Sequence, residues 1–481
     1  MKLEVAPGSR LNSSMGLFRD ISMQSKSTNH RRSSDTAQLQ PIKPLQIEIS
    51  DPDSVLAAVD MIAASEHYQV FRALIRIHTW PVGQLDFVKD ACLQDTSGLY
   101  AKIWTRFQNE INEHLIRDGC APLSDLTATS CFGGHAPRCL QKRSELLKAA
   151  PLVSVIVPTR DRTRELRNCL NHLLKLEYPS FEVIVVDNAP TTSATADLVK
   201  SFELQFGKLI YVREDRPGNQ WARNSGIRHA RGKHIAFTDD DAIVDSHWLT
   251  ALVDTLESAS DIACATGLAL PAELDTPAQL YFEQFGGFNK GRGYARILLN
   301  LTNNRPLDPL FPYIPSKFGA GVNNAYRADV LRELNGFDPA FVTGQDIDLY
   351  FRVIAAGHTL VIEPSAIVWH FHRREYQALA NQLYRYGTAF SSFLTKCILD
   401  NPGNFLELAR RIPYAVPYLF DPNSVRNQNK RKNYPVELTL SEIRGMLFGP
   451  AVYLRNRRIA KRLGADLLPL DSVQGFPERQ G

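Results

Sequence analysis

Three consecutive carboxylates, Asp239-Asp240-Asp241, follow the apolar run Ile235-Ala236-Phe237 and Thr238. A segment that reads as a buried strand therefore ends in crowded negative charge. Carboxylates this close repel one another and resist desolvation, so the cluster suits a divalent cation or sugar hydroxyls that take up its charge. Asp clusters also open solvated loops and cap helices, and residues 248–256 read as a helix soon afterwards. Further on lie Asn335-Gly336-Phe337-Asp338, Gly344-Gln345-Asp346-Ile347-Asp348 and Trp369-His370-Phe371-His372-Arg373-Arg374. Each has an ordinary structural use. Asp346 can cap the helix carrying Leu349, Phe351 and Val353, Asp348 can pair with Arg352 four residues on, and a His after a strand often only hydrogen-bonds at its edge. Jointly, an acidic triplet, a carboxylate at a helix start and a distal His supply a metal site and a base.

Such groups need elements to hold them, and from Pro151 strand and helix signals alternate as in a parallel α/β sheet. The run Val153-Ser154-Val155-Ile156-Val157 is a first strand, closed by Pro158-Thr159-Arg160-Asp161 and followed by a helix over 164–176 that ends at Tyr178-Pro179. Strands over 181–186 (ending in Asp187-Asn188), 209–212 and 233–238 follow, with a helix over 221–230 before the last. Polar residues collect at successive strand C-termini, the edge where open α/β sheets bind ligands, so Thr159, Asp187 and the 239–241 carboxylates converge on one cleft. For Asp187 a cap or turn role is the alternative.

Residues 1–44 are rich in Ser, Asn, Gln and Arg and read as a disordered tail. Residues 45–150 form a globular N-terminal α+β accessory domain: a helix over 54–65, an extended stretch over 69–77 with Trp80-Pro81-Val82-Gly83 behind it, and an amphipathic helix over 97–116. They carry no chemistry motif. Residues 151–375 hold the α/β domain. Residues 376–481 are a helical, basic extension, with helices over 376–400 and 438–463 and a proline-broken stretch between.

At 481 residues, 44% hydrophobic and 22% charged, the chain is an ordinary globular protein with room for several domains. Its net charge of +4 is mild and dispersed, which gives no support to nucleic-acid binding. Basic clusters at 223–231, 373–374 and 426–462 suit phosphates or an anionic lipid surface, or are simply solvated faces. The seven cysteines, at 92, 120, 131, 139, 169, 264 and 397, are odd in number and scattered, as expected of reduced thiols in a cytoplasmic protein. Cys131 and Cys139 flank Gly133-Gly134-His135, but two distant cysteines without a second pair give zinc little support. The N-terminus lacks the apolar centre of a secretion signal, and no run reaches the roughly 18 to 20 apolar residues that span a bilayer. The best late candidate, residues 412–420, is short and contains Pro413 and Pro417. Membrane contact is expected to be peripheral at most, at the inner face.

Residues from about 151 to 374 resemble the family 2 inverting glycosyltransferases. The motifs that carry the likeness occur in order: Val157-Pro158-Thr159-Arg160, Val186-Asp187-Asn188, Ala222-Arg223-Asn224-Ser225-Gly226, Asp239-Asp240-Asp241, Gly336-Phe337-Asp338, Gln345-Asp346 and His370. The stretch 281–288 also looks like bacterial members acting on polysaccharide or glycolipid acceptors. The resemblance implies the A-type nucleotide-diphosphosugar (GT-A) fold, a mixed, mostly parallel sheet flanked by helices. It further implies a nucleotide-diphosphate sugar donor and Mg²⁺ or Mn²⁺ held by Asp239, Asp241 and His370, or its neighbour His372. Donor contacts would come from Pro158, Thr159 beside the nucleoside, Asp187 on the base, Arg223 near the phosphates, Asp239 at the ribose and Asp240. Arg223 has the alternative of supporting its helix through a salt bridge. Asp346 would be the catalytic base, kept ionised by its helix N-terminus, and the C-terminal extension would cap the sheet or contact a saccharide or glycolipid acceptor.

Two departures stand out. Gln345 replaces the Glu usual beside the base, removing a charge, and the segment between Asp338 and Gln345 is short for this group. Competing chemistries are nucleotidyl transfer and metal-dependent phosphohydrolysis, which use similar acidic clefts; the loop Pro158-Thr159-Arg160-Asp161 lacks the glycines that nucleotidyltransferases of related fold place there. A non-catalytic nucleotide-sugar binding module is the third reading, and retention of Asp241, Asp346 and His370 together speaks against it.

Overall fold

The computed structural model describes residues 39–89, 95–130, 132, 136–202, 208–430 and 433–464. Two sheets organise them. The first belongs to the N-terminal layer: β1 (Ile42–Glu48), α1 (Pro52–Ala64), β2 (Val70–Ile77), β3 (Trp80–Val88), α2 (Thr96–Arg117) and α3 (Arg138–Lys148). β1 runs parallel to the central β2, and β3 antiparallel to it. Ile47, Phe71, Ile75, Ile103 and Phe107 lie in the core between this sheet and its helices. β1 starts inside the stretch expected to be a tail. Pro44 is tolerated there because β1 is an edge strand, where a missing N–H is cheap.

The second sheet has nine strands. Its elements are β4 (Val153–Thr159), α4 (Thr163–Leu173), β5 (Phe181–Asn188), α5 (Ala194–Phe202), β6 (Leu209–Glu214), α6 (Asn219–His229), β7 (His234–Phe237), β8 (Ala242–Val244), α7 (Trp248–Glu257), β9 (Ile262–Pro271), α8 (Pro277–Gln284), β10 (Ile297–Leu299), β11 (Asn324–Arg327), α9 (Ala328–Glu333), α10 (Gln345–Ala355) and β12 (Thr359–His370). The strand order is β10-β12-β9-β11-β7-β4-β5-β6, with β8 paired to β12. β6, β5, β4, β7, β9 and β12 share one direction; β11 runs against them between β7 and β9, and β8 and β10 run against β12. The sheet is thus mixed and mostly parallel.

Helices cover both faces, which explains the unbroken apolar runs of the strands. Side chains alternate between the two cores with period two. Val153, Val155 and Val157 of β4, with Val183 and Val185 of β5, join Leu166 and Leu170 of α4, Leu198 of α5 and Trp248 of α7. Ile156, Ile184 and Val186 face the other way, against Ala222 and Ile227 of α6, Leu331 of α9 and Leu349 and Val353 of α10.

The described C-terminal part is mostly helical: α11 (Tyr376–Asp400), α12 (Asn404–Phe420) and α13 (Val436–Arg462). α11 and α13 approach closely through small residues; a Cβ on Gly387 would lie 2.0 Å from the Glu442 carbonyl oxygen, and one on Gly445 2.0 Å from that of Tyr384. The stretch expected to be broken by proline is instead α12, continuous through Pro413 and Pro417. It is largely exposed, so water satisfies the carbonyls that the prolines leave without a donor.

Candidate active site

β4 and β5 lie side by side with Thr159 opposite Asp187, and β7 flanks β4 on its other side, so all three strands deliver their ends to one edge. There the acidic triplet divides. Asp240 turns inward, accepting hydrogen bonds from the Thr159 hydroxyl at 2.7 Å and from Arg162 Nη1 at 2.6 Å. Burial, with Asp241 and Asp239 beside it, pushes its acid up to about 7 against the pull of Arg162 and Thr159.

Asp241 is fixed by strand pairing. β8 folds back on β12 with Ala242 opposite His370, which brings the His370 Nε2 within 3.1 Å of Asp241 Oδ1. Arg162 Nη2 lies 3.1 Å from Oδ2, and Arg373 Nη1 3.8 Å from it. Burial acts to raise this carboxyl, and His370, Arg162 and Arg373 together more than reverse that, holding it well below the ordinary range. Asp239 is the most exposed of the three. It receives Arg223 Nη2 at 2.9 Å. One ligand atom from each of Asp239, Asp241 and His370 lies within 4.8 Å of the others. His372, the alternative late ligand, points elsewhere, with its Nε2 3.1 Å from Glu283 Oε1.

Arg223 is only 1% exposed and joins two halves of the site. Its guanidinium packs against the adjoining rings of Phe237 and Phe337, at 5.5 and 5.3 Å, and donates to the Gly321 carbonyl as well as to Asp239. Its Nε and Nη1 have no hydrogen-bond partner among the described residues. Across from Nη1 is Asp346, the second residue of α10. Both approach Gly321: a Cβ there would sit 3.1 Å from Asp346 Oδ2 and 3.2 Å from Arg223 Nη1. Burial raises the Asp346 carboxyl above its ordinary value, against the Arg223 charge and the first N–H groups of the helix. The helix N-terminus pulls in the expected direction, but burial prevails, which makes Asp346 a stronger base than its position alone implies.

Asp187 is fully buried; Tyr211 donates to its Oδ2 at 2.9 Å, and its Oδ1 has no partner among the described residues. Burial raises this carboxyl too, opposed by hydrogen bonding from the Tyr211 and Thr195 hydroxyls. An orphan acceptor at the sheet edge is what a hydrogen-bonding ligand would complete.

The family model "Glycosyl transferase family 2" matches residues 154–334. This chain carries a family 2 glycosyltransferase domain. A glycosyltransferase, AglE of Haloferax volcanii, is 26% identical over 240 residues, covering 49% of this chain and 72% of that protein. The pre-mycofactocin glycosyltransferase of Mycobacterium tuberculosis is 27% identical over 223 residues, covering 46% of this chain and only 43% of its own length. Among solved structures, a mannosyltransferase from Pyrobaculum calidifontis superposes with a TM-score of 0.38 at 17% identity, over 69% of this chain and 86% of that one. The domain is a glycosyltransferase enzyme of the expected α/β class, with a mixed, mostly parallel sheet between helices.

The structure brings Thr159, Asp187, Arg223, Asp239 and Asp241 of the matched segment together with Asp346 and His370, which lie beyond it. Two expected donor contacts also have structural partners. Pro158 is buried in β4 opposite Val186, so it shapes the strand, and Asp240 has both oxygens engaged in tying the β4 loop to the triplet. The expected pairing of Asp348 with Arg352 is present at 2.8 Å. Arg162 was not among the candidates, although it grips two of the three carboxylates. Its only sequence signal is its place directly after Pro158-Thr159-Arg160-Asp161, in the loop leading to α4.

Proposed function

We propose that this chain is an inverting glycosyltransferase that moves a sugar from a nucleotide-diphosphate donor, of the UDP or dTDP type, to a hydroxyl of a saccharide or glycolipid acceptor. The observation that carries this reading is the pairing of the Asp239, Asp241 and His370 group with a separate carboxylate, Asp346, across the single buried Arg223. Two carboxylates and an imidazole fit Mg²⁺ or Mn²⁺ by donor type, with His370 Nε2 facing Asp241. An ion held there would neutralise the donor's phosphates.

The chain's own residues divide the remaining work. Asp187 offers its unpartnered Oδ1 to the donor's base, and the free Nη1 and Nε of Arg223 provide positive charge between donor and acceptor sides. Asp346 accepts the proton of the acceptor hydroxyl as that oxygen attacks the anomeric carbon opposite the departing nucleotide; a single displacement inverts configuration. Gln345, buried with its Oε1 unpartnered, adds no charge beside this base.

The acceptor reading is supported by the C-terminal helices. On α12, Phe405, Ile412, Val416 and Phe420 are exposed at helical spacing, and on α13 so are Val436, Leu440, Leu447 and Leu454. Arg444, Arg455, Arg458 and Lys461 are exposed on α13. No helix among the described residues is long and apolar enough to cross a membrane. Apolar stripes beside arginines suit a helix lying in a lipid interface, where a glycolipid acceptor would be presented.

The test is calorimetric binding of UDP-, dTDP- and GDP-sugars with Mn²⁺ or Mg²⁺ and again with chelator. Binding of one nucleotide class that disappears with chelator is expected. Chelator-independent binding would overturn the metal-assisted reading.

A further inference from the structure

A second group of metal-ligating side chains lies in the N-terminal layer, outside the candidate active site: His78, His114, Asp118 and Cys139, the first three buried. Three separate segments supply them. His78 sits in the tight β2–β3 turn, His114 and Asp118 are one turn apart at the end of α2, and Cys139 is the second residue of α3. His78 Nδ1, His114 Nε2 and Asp118 Oδ2 form a nearly equilateral triangle, with edges of 3.2, 3.3 and 3.2 Å. The Cys139 Sγ lies 2.6 Å from the same carboxylate oxygen, so on a shared zinc it would move out to about 3.5 Å.

Hydrogen bonding leaves this triangle crowded, because both imidazoles and the thiol converge on one carboxylate oxygen. If both imidazoles donate to Asp118, two N–H groups face each other; if one ring donates to the other, the acceptor nitrogen turns a lone pair toward the carboxylate. A central cation attracts all three atoms at once. Nitrogen and oxygen ligands about 2.0 to 2.1 Å from tetrahedral zinc stand about 3.3 Å apart, which is the edge observed.

We propose that His78, His114, Asp118 and Cys139 bind one zinc ion in a closed, structural site. Two imidazoles, a thiolate and a carboxylate fill the tetrahedron and leave no position for a substrate. The placement suits a staple. α3 has no buried residue and no side-chain cap at its start, yet it leads directly into β4, the first strand of the catalytic sheet. Arg143 of α3 also reaches the β2–β3 turn, donating to the Thr79 hydroxyl and the His78 carbonyl. Zinc would bind the approach to β4 to the end of α2 and to that turn. Of the two cysteines noted in the sequence, Cys139 is therefore the ligand, and Cys131 lies outside the described residues.

The full-length chain loaded with one equivalent of cobalt(II) tests this. A near-ultraviolet sulfur-to-cobalt charge-transfer band is expected, which the sulfur-free Asp239, Asp241 and His370 group is unable to give. Cys139→Ser should lose the band and Asp241→Asn should keep it. No band in the unaltered chain, or one that survives Cys139→Ser, overturns the proposal. Should Cys139→Ser fail to fold, zinc K-edge absorption of the unaltered chain decides: one sulfur in the first shell supports the site, and a shell of nitrogen and oxygen only, or of two or more sulfurs, refutes it.

Discussion

Asp241 is a buried carboxylate and Asp346 a half-buried one, both near positive charge, yet their environments push them apart. Asp241 is held ionised by His370, Arg162 and Arg373, while burial raises Asp346. That separation fits the proposed division, one to charge binding and the other to proton transfer. Asp346→Asn is expected to leave donor affinity within about twofold and to lower kcat by about 10² to 10⁴. Asp241→Ala should instead abolish metal-dependent donor binding. Calorimetry alongside single-turnover transfer separates the two, and equal loss of binding in both variants would refute the assignment. The sign of the pH response follows. A base works only when deprotonated, so kcat falls as pH drops through the folded pKa of Asp346, which lies above the ordinary value of about 3.9. Gln345→Glu places a carboxylate beside it and should shift this acid limb to higher pH, because a like charge disfavours ionisation. A kcat–pH profile unmoved by that change would mean another group is the base.

Among the elements, the N-terminal sheet braces the catalytic one. Arg76 of β2 reaches Asp245, just past β8, at 2.6 Å, both side chains being nearly fully buried. Arg72 joins Asp86 to Glu283, which in turn contacts His372 after β12. Both strand ends that flank the acidic triplet are thereby tied to the same small sheet. Arg76→Met leaves Asp245 buried without its partner and should destabilise the fold by about 3 to 5 kcal/mol, read from denaturant unfolding. Burial acts to raise the Asp245 carboxyl, and Arg76 more than reverses it, lowering the folded pKa. The contribution is therefore complete above the ordinary carboxylate range and is lost as pH falls through the folded value below it. This brace was hidden in the sequence because Arg76 and Asp245 are far apart along it, and the same holds for Arg162 with Asp240 and for His78 with Cys139. β4 and β5 were legible because alternate residues feed two cores, which imposes continuous apolar runs bounded by polar strand ends. The short, antiparallel β11, Asn324–Arg327, carries little periodicity, and its place between β7 and β9 is set by tertiary packing. The site was legible wherever a motif sat at a strand or helix end, as with Asp187, Asp239 and Asp346.

Among the described residues, exposed apolar surface concentrates on α12 and α13. Phe405, Ile412, Val416 and Phe420 recur at intervals of seven, four and four residues, and Val436, Leu440, Leu447 and Leu454 at four, seven and seven. Each set forms one helical stripe. A stripe left in water gains nothing from folding, whereas burial of a large apolar side chain is worth about 1.5 to 3 kcal/mol. Partition into the headgroup boundary recovers that gain without a spanning helix, and the arginines of α13 add attraction to anionic lipid. The full-length chain is therefore expected to co-sediment with vesicles containing anionic phospholipid, and less so with neutral vesicles or at high salt. Phe405→Ser combined with Leu447→Ser should weaken vesicle binding at least about tenfold, since each exposed side chain contributes about 1.5 kcal/mol or more on insertion. Thermal stability and transfer to a soluble saccharide acceptor should stay unchanged, because both residues face away from the core. Transfer to a lipid-linked acceptor in vesicles should fall in step with binding. Equal vesicle binding by the double variant would mean the stripes are not inserted, and the acceptor reading that rests on them would fall while the donor site remained intact.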